Sequence, residues 1–462
     1  KNMYQIDFKK PQSVHFIGIG GISMSGLAEI LFDEEFRVSG SDMHRSELTD
    51  RLEAKGIRVD YGQRAENIRD DIEVVVYTAA VHPDNPEFQA AKAKGIPMMP
   101  RADLLGEMMR NYKHAVNISG THGKTTTTSM LTEILLAADA DPTITVGGIL
   151  PAIGGNIRVG GPEFFVAEAC EYTNSFLSFF PTLEIILNIE ADHLDFFKDL
   201  EDIRHSFRLF AQKLDENGVL IINRDIERME EITEGLPCKV ITFGKDPGKS
   251  IYSAADIVFD QLARASYTLL IEGRPEGTIT LGVPGMHNVY NSLSAIAASR
   301  ELGISMEKIR TGLLHFTGTN RRFEKKGEIG GVTVIDDYAH HPQEIRATLT
   351  TAKNYPHKKL WCVFQPHTYT RTAALLDDFV QALMEADEVI LADIYAAREV
   401  NTIGISSADV AERIQAAGGK AHYIPSFDDI ETFILENCVP GDLLITMGAG
   451  DIVKVGEKLL GL

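Results

Sequence analysis

The segment GTHGKTTTT joins glycines, a lysine and threonines in an order that suits nucleotide phosphates. Glycines let backbone N–H groups approach phosphate oxygens, a lysine places a positive charge between the β- and γ-phosphates, and the next hydroxyl binds Mg²⁺. The usual spacing is broken only at Ile118, where the first glycine would stand. A glycine-rich turn with an incidental lysine is the alternative, which the preceding strand and following amphipathic helix disfavour. The predicted phosphate-binding residues are Gly120, Thr121, His122, Gly123, Lys124, Thr125 and Thr126.

Two side chains further along the chain suit a magnesium ion beside this loop. Glu171 and His193 each lie at or just beyond the end of an apolar segment. A carboxylate with water and phosphate oxygens is ordinary Mg²⁺ coordination, whereas histidine is a less usual ligand for so hard a cation. The alternatives are a solvated loop glutamate and a histidine that caps the following turn. We predict that Thr125, Glu171 and His193 hold Mg²⁺.

A second glycine cluster, GIGGISMSG, follows the first apolar strand. Gly18, Gly20 and Ser23 occupy the three positions of a G-x-G-x-x-G fingerprint, so the last glycine is missing. Asp42, about 20 residues on, is placed to bind a ribose. The pattern indicates a nucleotide-binding unit without specifying NAD, and a purely structural tight turn is the alternative.

Two further groups of polar residues are candidates for nucleotide and carboxylate contacts. Asn288 and Asn291 are three apart and share a helix face, so their amides can meet a base edge. The alternative is that Asn288 caps the helix. Arg322, His340 and Arg371 are cations concentrated in an acidic chain. A solvated turn is the alternative for the paired arginines, and their place at a predicted domain junction favours a role in binding.

Composition excludes several classes of protein. The 462 residues carry 66 acidic and 45 basic side chains, a net charge of -21, which disfavours nucleic-acid and anionic-membrane partners. No stretch approaches the roughly 18 unbroken apolar residues of a membrane span, and the opening segment lacks the apolar core of a signal peptide. The four cysteines are widely spaced, as in reduced thiols. We expect a cytoplasmic enzyme.

Strand-helix alternation must position these groups. It occurs in three sets, predicting an α/β protein with domains at 1–108, 109–319 and 320–462. In the second and third sets, apolar strands run out into polar residues at their carboxyl ends, where open parallel sheets bind ligands. We therefore expect the candidate groups to line one crevice between two domains.

The order of these motifs, continued by EACEYTNSF, NIEADHLD, GMHNVYN, DDYAHHP, QPHTYTRT and MGAGD, closely resembles the Mur ligase family, and within it the alanine-adding branch. The resemblance runs from Val14 to Asp451. It implies an N-terminal Rossmann-like UDP-binding domain, a central P-loop ATPase-like domain and a C-terminal Rossmann-like α/β domain. It also implies a step of peptidoglycan synthesis in which L-alanine is joined to the lactyl carboxylate of UDP-N-acetylmuramate, through an acyl phosphate, while ATP becomes ADP and phosphate.

The resemblance also implies roles for individual residues. Lys124, His340 and Arg371 would be catalytic. Adenine would meet Asn288 and Asn291, the ribose Asp336, and the phosphates Arg322. The UDP-sugar would contact Gly18, Gly20, Gly21, Ser23, Met24, Ser25, Asp42, His122, Tyr338, His367 and Arg371.

Three rival functions remain open at this point. A phosphate-loop ATPase would need no second nucleotide pocket, and an NAD oxidoreductase would leave the lysine loop without a role. Within the family, a recycling ligase that adds a preformed tripeptide to the same UDP-sugar is the runner-up. Either a monomer or a homodimer is compatible with the sequence.

Overall fold

Three β-sheets, each formed by a consecutive stretch of chain, organise the molecule. The computed structural model describes residues 4–260, 262–319 and 321–462. We refer to the elements within residues 13–109, 114–315 and 324–459 as the first, central and third units. The predicted three-part α/β architecture is confirmed, while the limits 1–108, 109–319 and 320–462 remain proposed domain boundaries. No helix in the described residues is long and apolar enough to cross a membrane.

The first unit alternates strands and helices. Its elements are β1 (Ser13–Ile17), α1 (Ile22–Asp33), β2 (Arg37–Asp42), α2 (Glu47–Lys55), β3 (Arg58–Tyr61), β4 (Val74–Tyr77), α3 (Pro86–Ala93), β5 (Met98–Pro100) and α4 (Arg101–Met109). The strands form a parallel sheet in the order β3-β2-β1-β4-β5. Every residue of β1 is buried, as expected for a central parallel strand covered on both faces.

The central unit carries the lysine loop. Its elements are β6 (His114–Ser119), α5 (Lys124–Ala137), β7 (Thr143–Leu150), β8 (Gly155–Arg158), β9 (Phe164–Glu168), β10 (Leu183–Ile186), α6 (Leu200–Ala211), β11 (Val219–Asn223), α7 (Glu230–Thr233), β12 (Lys239–Phe243), β13 (Tyr252–Phe259), β14 (Arg264–Ile271), β15 (Arg274–Pro284), α8 (Met286–Glu301) and α9 (Met306–His315). The sheet order is β15-β14-β13-β12-β11-β10-β6-β9-β7-β8.

Parallel pairing at the middle of this sheet positions the functional loops. Strand β6 lies between β9 and β10 and runs parallel to both. The carboxyl ends of these three strands therefore meet at one edge, where the lysine loop, Glu171 and His193 follow them. Antiparallel pairing occurs at the sheet's two ends, in the β7–β8 hairpin and in β13–β15.

The third unit is a mostly parallel sheet. Its elements are β16 (Glu324–Ile329), β17 (Val332–Asp337), α10 (Pro342–Lys353), β18 (Leu360–Phe364), α11 (Tyr369–Ala374), α12 (Leu376–Leu383), β19 (Glu388–Leu391), α13 (Ser407–Ala416), β20 (Ala421–Tyr423), α14 (Phe427–Asn437), β21 (Leu443–Met447) and α15 (Val453–Leu459). The order is β16-β17-β21-β18-β19-β20, with only β16 antiparallel among the described strands. Residues after β17 and β18 face the central unit.

Candidate active site between the central and third units

The lysine loop is a tight turn between β6 and α5. Gly120 and Gly123 adopt φ values of 145° and 88°, which glycine reaches without steric cost. Asn188 braces the turn, because its Oδ1 accepts the His122 N–H and its Nδ2 donates to the His122 carbonyl, both at 2.9 Å. The loop thus enters a 14-residue helix whose free N–H groups and dipole favour an anion.

Lys124 holds a positive charge at this helix terminus. Its Nζ donates to the Gly120 carbonyl at 2.6 Å and lies 3.6 Å from Glu171 Oε2. Burial disfavours the ammonium, but Glu171 and other nearby acids outweigh it and raise the pKa of Lys124 above its ordinary value. The charge is therefore fixed where a phosphate at the loop would meet it.

The predicted metal ligands lie together beside this lysine. Glu171 is 2% exposed, and its Oε2 makes no hydrogen bond although it lies 3.6 Å from Lys124 Nζ, so the lone pairs of this buried oxygen are available to a metal ion. Its Oε1 lies 3.7 Å from His193 Nε2. Thr125 supplies a hydroxyl from the first turn of α5. A carboxylate and a hydroxyl are hard oxygen donors, so these residues fit Mg²⁺.

Tyr172, to which the sequence analysis gave no role, orients the histidine of this group. Its ring stacks on His193 with centroids 4.7 Å apart, and its hydroxyl donates to Asp195 Oδ2 at 2.7 Å. Outer contacts of this kind fix the orientation of metal-binding histidines. The only sequence signal was the position of Tyr172 next to Glu171 in EACEYTNSF.

A cavity of about 410 Å³ extends from the loop to the third unit. That volume falls in the range of small-ligand sites. Among the described residues, its walls come from the central unit, the third unit and the segment that joins them. Of the predicted nucleotide contacts, the walls include His122, Gly123, Thr126, Asn288, Asn291 and Arg322.

The two asparagines lie inside α8. Gly285 is the N-cap residue, so the alternative in which Asn288 caps the helix is wrong. Asn291 Nδ2 donates to Asn288 Oδ1 at 3.0 Å, and Asn288 Nδ2 donates to the Pro284 carbonyl at 2.8 Å. Their amides therefore form one ordered pair at the cavity wall.

Asp336 does not reach the cavity. It is fully buried, and its carboxylate accepts hydrogen bonds from Arg321 Nε at 2.9 Å and from the Thr446 hydroxyl at 2.7 Å. Its neighbour Asp337 lines the cavity instead, with a pKa that burial raises to about 6. The ribose contact predicted for Asp336 is corrected by this geometry, because adjacent strand residues point to opposite faces.

Arg321 and Arg322 both contact Tyr338. Their guanidinium carbons lie 5.3 and 5.1 Å from the centre of its ring, within the range of cation–π attraction. Tyr338 also meets His340 edge to face, at 5.3 Å between centroids. In this arrangement Tyr338 contacts two arginines and a histidine, and its predicted contact with the UDP-sugar stays a prediction.

Arg371 joins His367 to the central unit. Its Nη1 donates to His367 Nδ1 at 3.1 Å, and its Nε donates to Asp192 Oδ1 at 2.8 Å. His340 is adjacent, with its ring centroid 5.8 Å from that of His367. Burial lowers the pKa of His340, and burial with His340 and Arg371 nearby lowers that of His367 to about 4. Both rings are neutral near pH 7, so His340 is able to accept a proton.

The glycine loop of the first unit lies apart from this cavity. Asp42 Oδ2 accepts the Gly20 N–H at 2.9 Å and Oδ1 accepts the Met43 N–H at 2.8 Å, so Asp42 braces the loop. A Cβ at Gly20 would stand 2.7 Å from Asp42 Oδ2, which requires glycine there. The ribose contact of Asp42 stays a prediction.

The remaining residues predicted to bind the UDP-sugar surround the start of α1. Gly18 and Gly21 form the turn, since the Gly21 N–H donates to the Gly18 carbonyl at 3.2 Å. The hydroxyl of Ser25 donates to the Ile22 carbonyl at 3.0 Å. The Met24 side chain is 2% exposed and packs in the core, and the contact of Met24 with the UDP-sugar stays a prediction. These positions leave the loop backbone as the exposed binding element.

Arg101 adds a cation that sequence reasoning missed. Its Nη1 donates to Ser23 Oγ at 2.9 Å, and burial lowers its pKa, with the Cys170 thiol as a weaker opposing influence. The side chain thus places a positive charge at the start of α1, next to the glycine loop of the first unit. A lone arginine at the start of a helix gave no sequence signal.

Three family models match consecutive parts of the chain. They are described as the Mur ligase family, catalytic domain, at residues 13–113, the Mur ligase middle domain at 118–299, and the Mur ligase, glutamate ligase domain at 321–450. Together they span the three units.

Individual proteins are similar over nearly the full length. The UDP-N-acetylmuramate--L-alanine ligase of Lachnospira eligens is 65% identical, covering 99% of this chain and 100% of that protein. The crystal structure of the UDP-N-acetylmuramate-alanine ligase of Thermotoga maritima is 29% identical with a TM-score of 0.77, covering 97% and 98%. A murein peptide ligase from Psychrobacter arcticus is 25% identical with a TM-score of 0.67, over the same shares.

Proposed function

The chain belongs to the Mur ligase family, and on that premise we propose that it joins L-alanine to the lactyl carboxylate of UDP-N-acetylmuramate. ATP is converted to ADP and phosphate in this step of peptidoglycan synthesis. The proposal is supported by 65% identity to an alanine-adding ligase across 99% of the chain. A cytoplasmic location, where ATP is supplied, belongs to the proposal, and the four free cysteines agree with it.

The proposed chemistry depends on charged side chains that the central and third units bring together. Lys124 and the unpartnered Glu171 oxygen lie on the central unit, while Arg371 reaches across from the third unit to Asp192, next to His193. An anionic substrate between these groups meets positive charge from both sides. Such an arrangement suits phosphoryl transfer, which depends mainly on positioning and electrostatic stabilisation.

A carboxylate is a poor acyl donor to an amine, so we infer that its oxygen first takes the γ-phosphoryl group of ATP. Lys124 stabilises the charge on the transferring group. Thr125, Glu171 and His193 would hold Mg²⁺, which would supply further positive charge to the phosphate oxygens when bound. The amine of L-alanine then attacks the acyl phosphate, and phosphate leaves. His340 is our candidate to take the amine's proton, because burial keeps its ring neutral.

The UDP moiety is assigned to the first unit. The loop from Gly18 to Gly21 precedes α1, where backbone N–H groups and the helix dipole favour a diphosphate. Arg101 at Ser23 supplies a cation near that position. The sugar then extends toward the central unit, where its lactyl carboxylate is to meet Lys124.

The tripeptide-adding reaction is the alternative within the family. The murein peptide ligase structure is 25% identical to this chain, against 65% for the alanine-adding relative, so the alternative is not favoured. Phosphate release from ATP with UDP-N-acetylmuramate tests the choice, with L-alanine, glycine, L-serine and tripeptide as acceptors. We expect L-alanine to give the highest kcat/KM. Preference for tripeptide would replace the proposal with the alternative.

The acyl phosphate is testable separately. ATP, Mg²⁺ and UDP-N-acetylmuramate without an amino acid should yield an intermediate that borohydride reduces to a sugar alcohol. Ligation without any trapped product would argue for a route in which no acyl phosphate accumulates.

A further inference from the structure

Three side chains with metal-binding atoms converge where the central and third units meet. His122 precedes α5, Glu190 follows β10, and His341 is the N-cap of α10. One nitrogen or oxygen from each lies within 4.8 Å of the other two. This trio is separate from Thr125, Glu171 and His193.

Two of these atoms have no other partner. Glu190 Oε2 and His122 Nδ1 are both inaccessible to solvent and make no hydrogen bond. They are 3.8 Å apart, too far for a hydrogen bond to each other. Burial lowers the pKa of His122 to about 3, so the ring is neutral and keeps a lone pair. A buried polar atom without a hydrogen-bond partner destabilises the folded protein. Two such atoms that face each other at this spacing indicate that an ion or molecule binds between them.

His341 Nδ1 is the third metal-binding atom of the trio. The Nε2 of the same ring donates to the Ala191 carbonyl at 2.7 Å, so Nδ1 is the ring nitrogen that faces Glu190. Nδ1 caps α10, accepting the Gln343 N–H at 3.3 Å, and lies 4.0 Å from Glu190 Oε2. A histidine whose second nitrogen donates to a backbone carbonyl is typical of metal ligation. The side chain is 6% exposed, which fixes its position.

The chemistry of the trio indicates the kind of ion. Two imidazoles and one carboxylate match Zn²⁺ and related transition metals, whereas Mg²⁺ prefers oxygen ligands alone. Tetrahedral bonds of about 2.0–2.2 Å require ligand atoms about 3.3–3.5 Å apart. Closing from 3.8 and 4.0 Å is a contraction of about half an ångström. Glu344, which accepts the His341 N–H at 3.1 Å, adds a second negative charge nearby.

We propose that His122, Glu190 and His341 bind a transition-metal dication such as Zn²⁺, which links the central unit to the third unit. The fourth coordination position is left for water from the adjoining cavity. Because the ligands come from both units, the ion binds only the closed arrangement, in which the central and third units are in contact. Binding therefore shifts the population toward that arrangement. This role is independent of the Mg²⁺ that serves phosphoryl transfer.

Cobalt is the probe, since four-coordinate Co²⁺ absorbs visible light far more strongly than six-coordinate Co²⁺. The full-length, chelator-treated protein is titrated with CoCl₂ without nucleotide. We expect one strongly absorbing Co²⁺ per chain, displaced by Zn²⁺. Glu190→Gln and His341→Ser should each weaken Co²⁺ binding by at least about 100-fold, because loss of a ligand exceeds the 10–100-fold cost of losing an outer partner. Serine retains the helix cap, and glutamine retains the shape of Glu190.

Two controls separate this site from others. His193→Ala removes a predicted Mg²⁺ ligand, and His82→Ala removes an exposed histidine 3.8 Å from Asp84. Both variants should keep the strong absorption. Only weak, six-coordinate absorption in the wild type, or strong absorption that survives Glu190→Gln and His341→Ser, would overturn the proposal. Should one variant not fold, as judged by its unfolding temperature without metal, the other decides.

Discussion

Arg371 Nε lies 2.8 Å from Asp192 Oδ1, and this ion pair joins the third unit to the central unit with side chains only 10% and 5% exposed. Burial alone would raise the pKa of Asp192, but Arg371 and His193 outweigh it and hold that pKa well below its usual range. Asp192 therefore remains charged in any solution in which the enzyme is assayed. The pair is positioned to control how closely the third unit docks.

Asp192→Asn should open the molecule. Breaking one side of a buried ion pair typically costs about 3–5 kcal/mol, enough to change a closed-to-open ratio by more than 100-fold. With a non-hydrolysable ATP analogue and UDP-N-acetylmuramate bound, small-angle scattering should give the variant a larger radius of gyration than the wild type. Asp428→Asn is the control, since Asp428 pairs with Lys458 on the exposed surface of the third unit. Equal radii with both ligands bound would show that the pair does not govern docking.

Lys124→Ala should fold but lose ligation. The lysine stabilises negative charge that builds up during phosphoryl transfer. Losing one such contact typically lowers kcat on the order of 100-fold or more. Phosphate release measures this, and thermal unfolding shows whether the fold is retained. Lys55→Ala, which breaks an exposed pair with Asp33, should retain full activity. Normal turnover by a folded Lys124→Ala protein would contradict the phosphate-loop assignment.

Local patterns predicted the strand, turn and helix around Lys124. These patterns are the glycines and lysine of GTHGKTTTT and the alternation of apolar strands and helices, all of which depend on residues close in sequence. The described structure has the strands and helices that they predict. Which of two adjacent aspartates faces the cavity was not predictable, because a shift of one residue along a strand reverses the face. Sequence favoured Asp336, and the register of β17 against β21 instead buries it beside Thr446.

Contacts between residues far apart in the sequence were also beyond sequence reasoning. Arg101 meets Ser23 across 78 residues, and Arg371 meets Asp192 across 179. Neither pair produces periodicity or spacing that a single sequence reveals. The N-cap of α8 was ambiguous for a different reason: asparagine is common at caps, and only the backbone conformation of Gly285 places the cap there rather than at Asn288.

His367 should make stability depend on pH. Its folded pKa of about 4 lies below the ordinary 6.5, so between these values the unfolded chain binds the proton and the folded protein does not. Its contribution is therefore complete above pH 6.5 and falls on acidification toward pH 4. The expected slope is about 1 kcal/mol per pH unit, below the 1.4 that a difference of one whole proton would give, because both states are partly protonated within this window.

Comparing wild type with His367→Gln isolates that slope, since other groups titrate in both proteins. Between pH 7, 6 and 5, the unfolding temperature of the wild type should fall more steeply than that of the variant. His82→Gln, at an 86% exposed position, should show no such trend. A constant difference between wild type and His367→Gln would mean that His367 titrates normally in the folded protein.

Gly26 lets the β7–β8 hairpin of the central unit pack on α1 of the first unit. A Cβ at Gly26 would stand 1.8 Å from Ile157 Cδ1, so alanine cannot fit unless the hairpin moves. In a helix such as α1, alanine is otherwise about 1 kcal/mol more favourable than glycine. Any loss of stability or affinity in Gly26→Ala must therefore come from this clash. Overpacking typically costs 1–3 kcal/mol, and we expect Gly26→Ala to bind UDP-N-acetylmuramate about 10-fold more weakly in calorimetry.

The double variant Gly26→Ala/Ile157→Ala decides the cause of that loss. Removing the Ile157 side chain beyond Cβ takes away the atoms nearest the new methyl group, so affinity should return close to that of Ile157→Ala alone. The two single variants and the double variant form a cycle whose coupling term measures the contact, since each site is otherwise unchanged. If Gly26→Ala binds as tightly as wild type, the hairpin does not pack on α1 in the ligand-bound enzyme. If the double variant stays weak, Gly26 acts through the loop from Gly18 to Gly21 rather than through the hairpin.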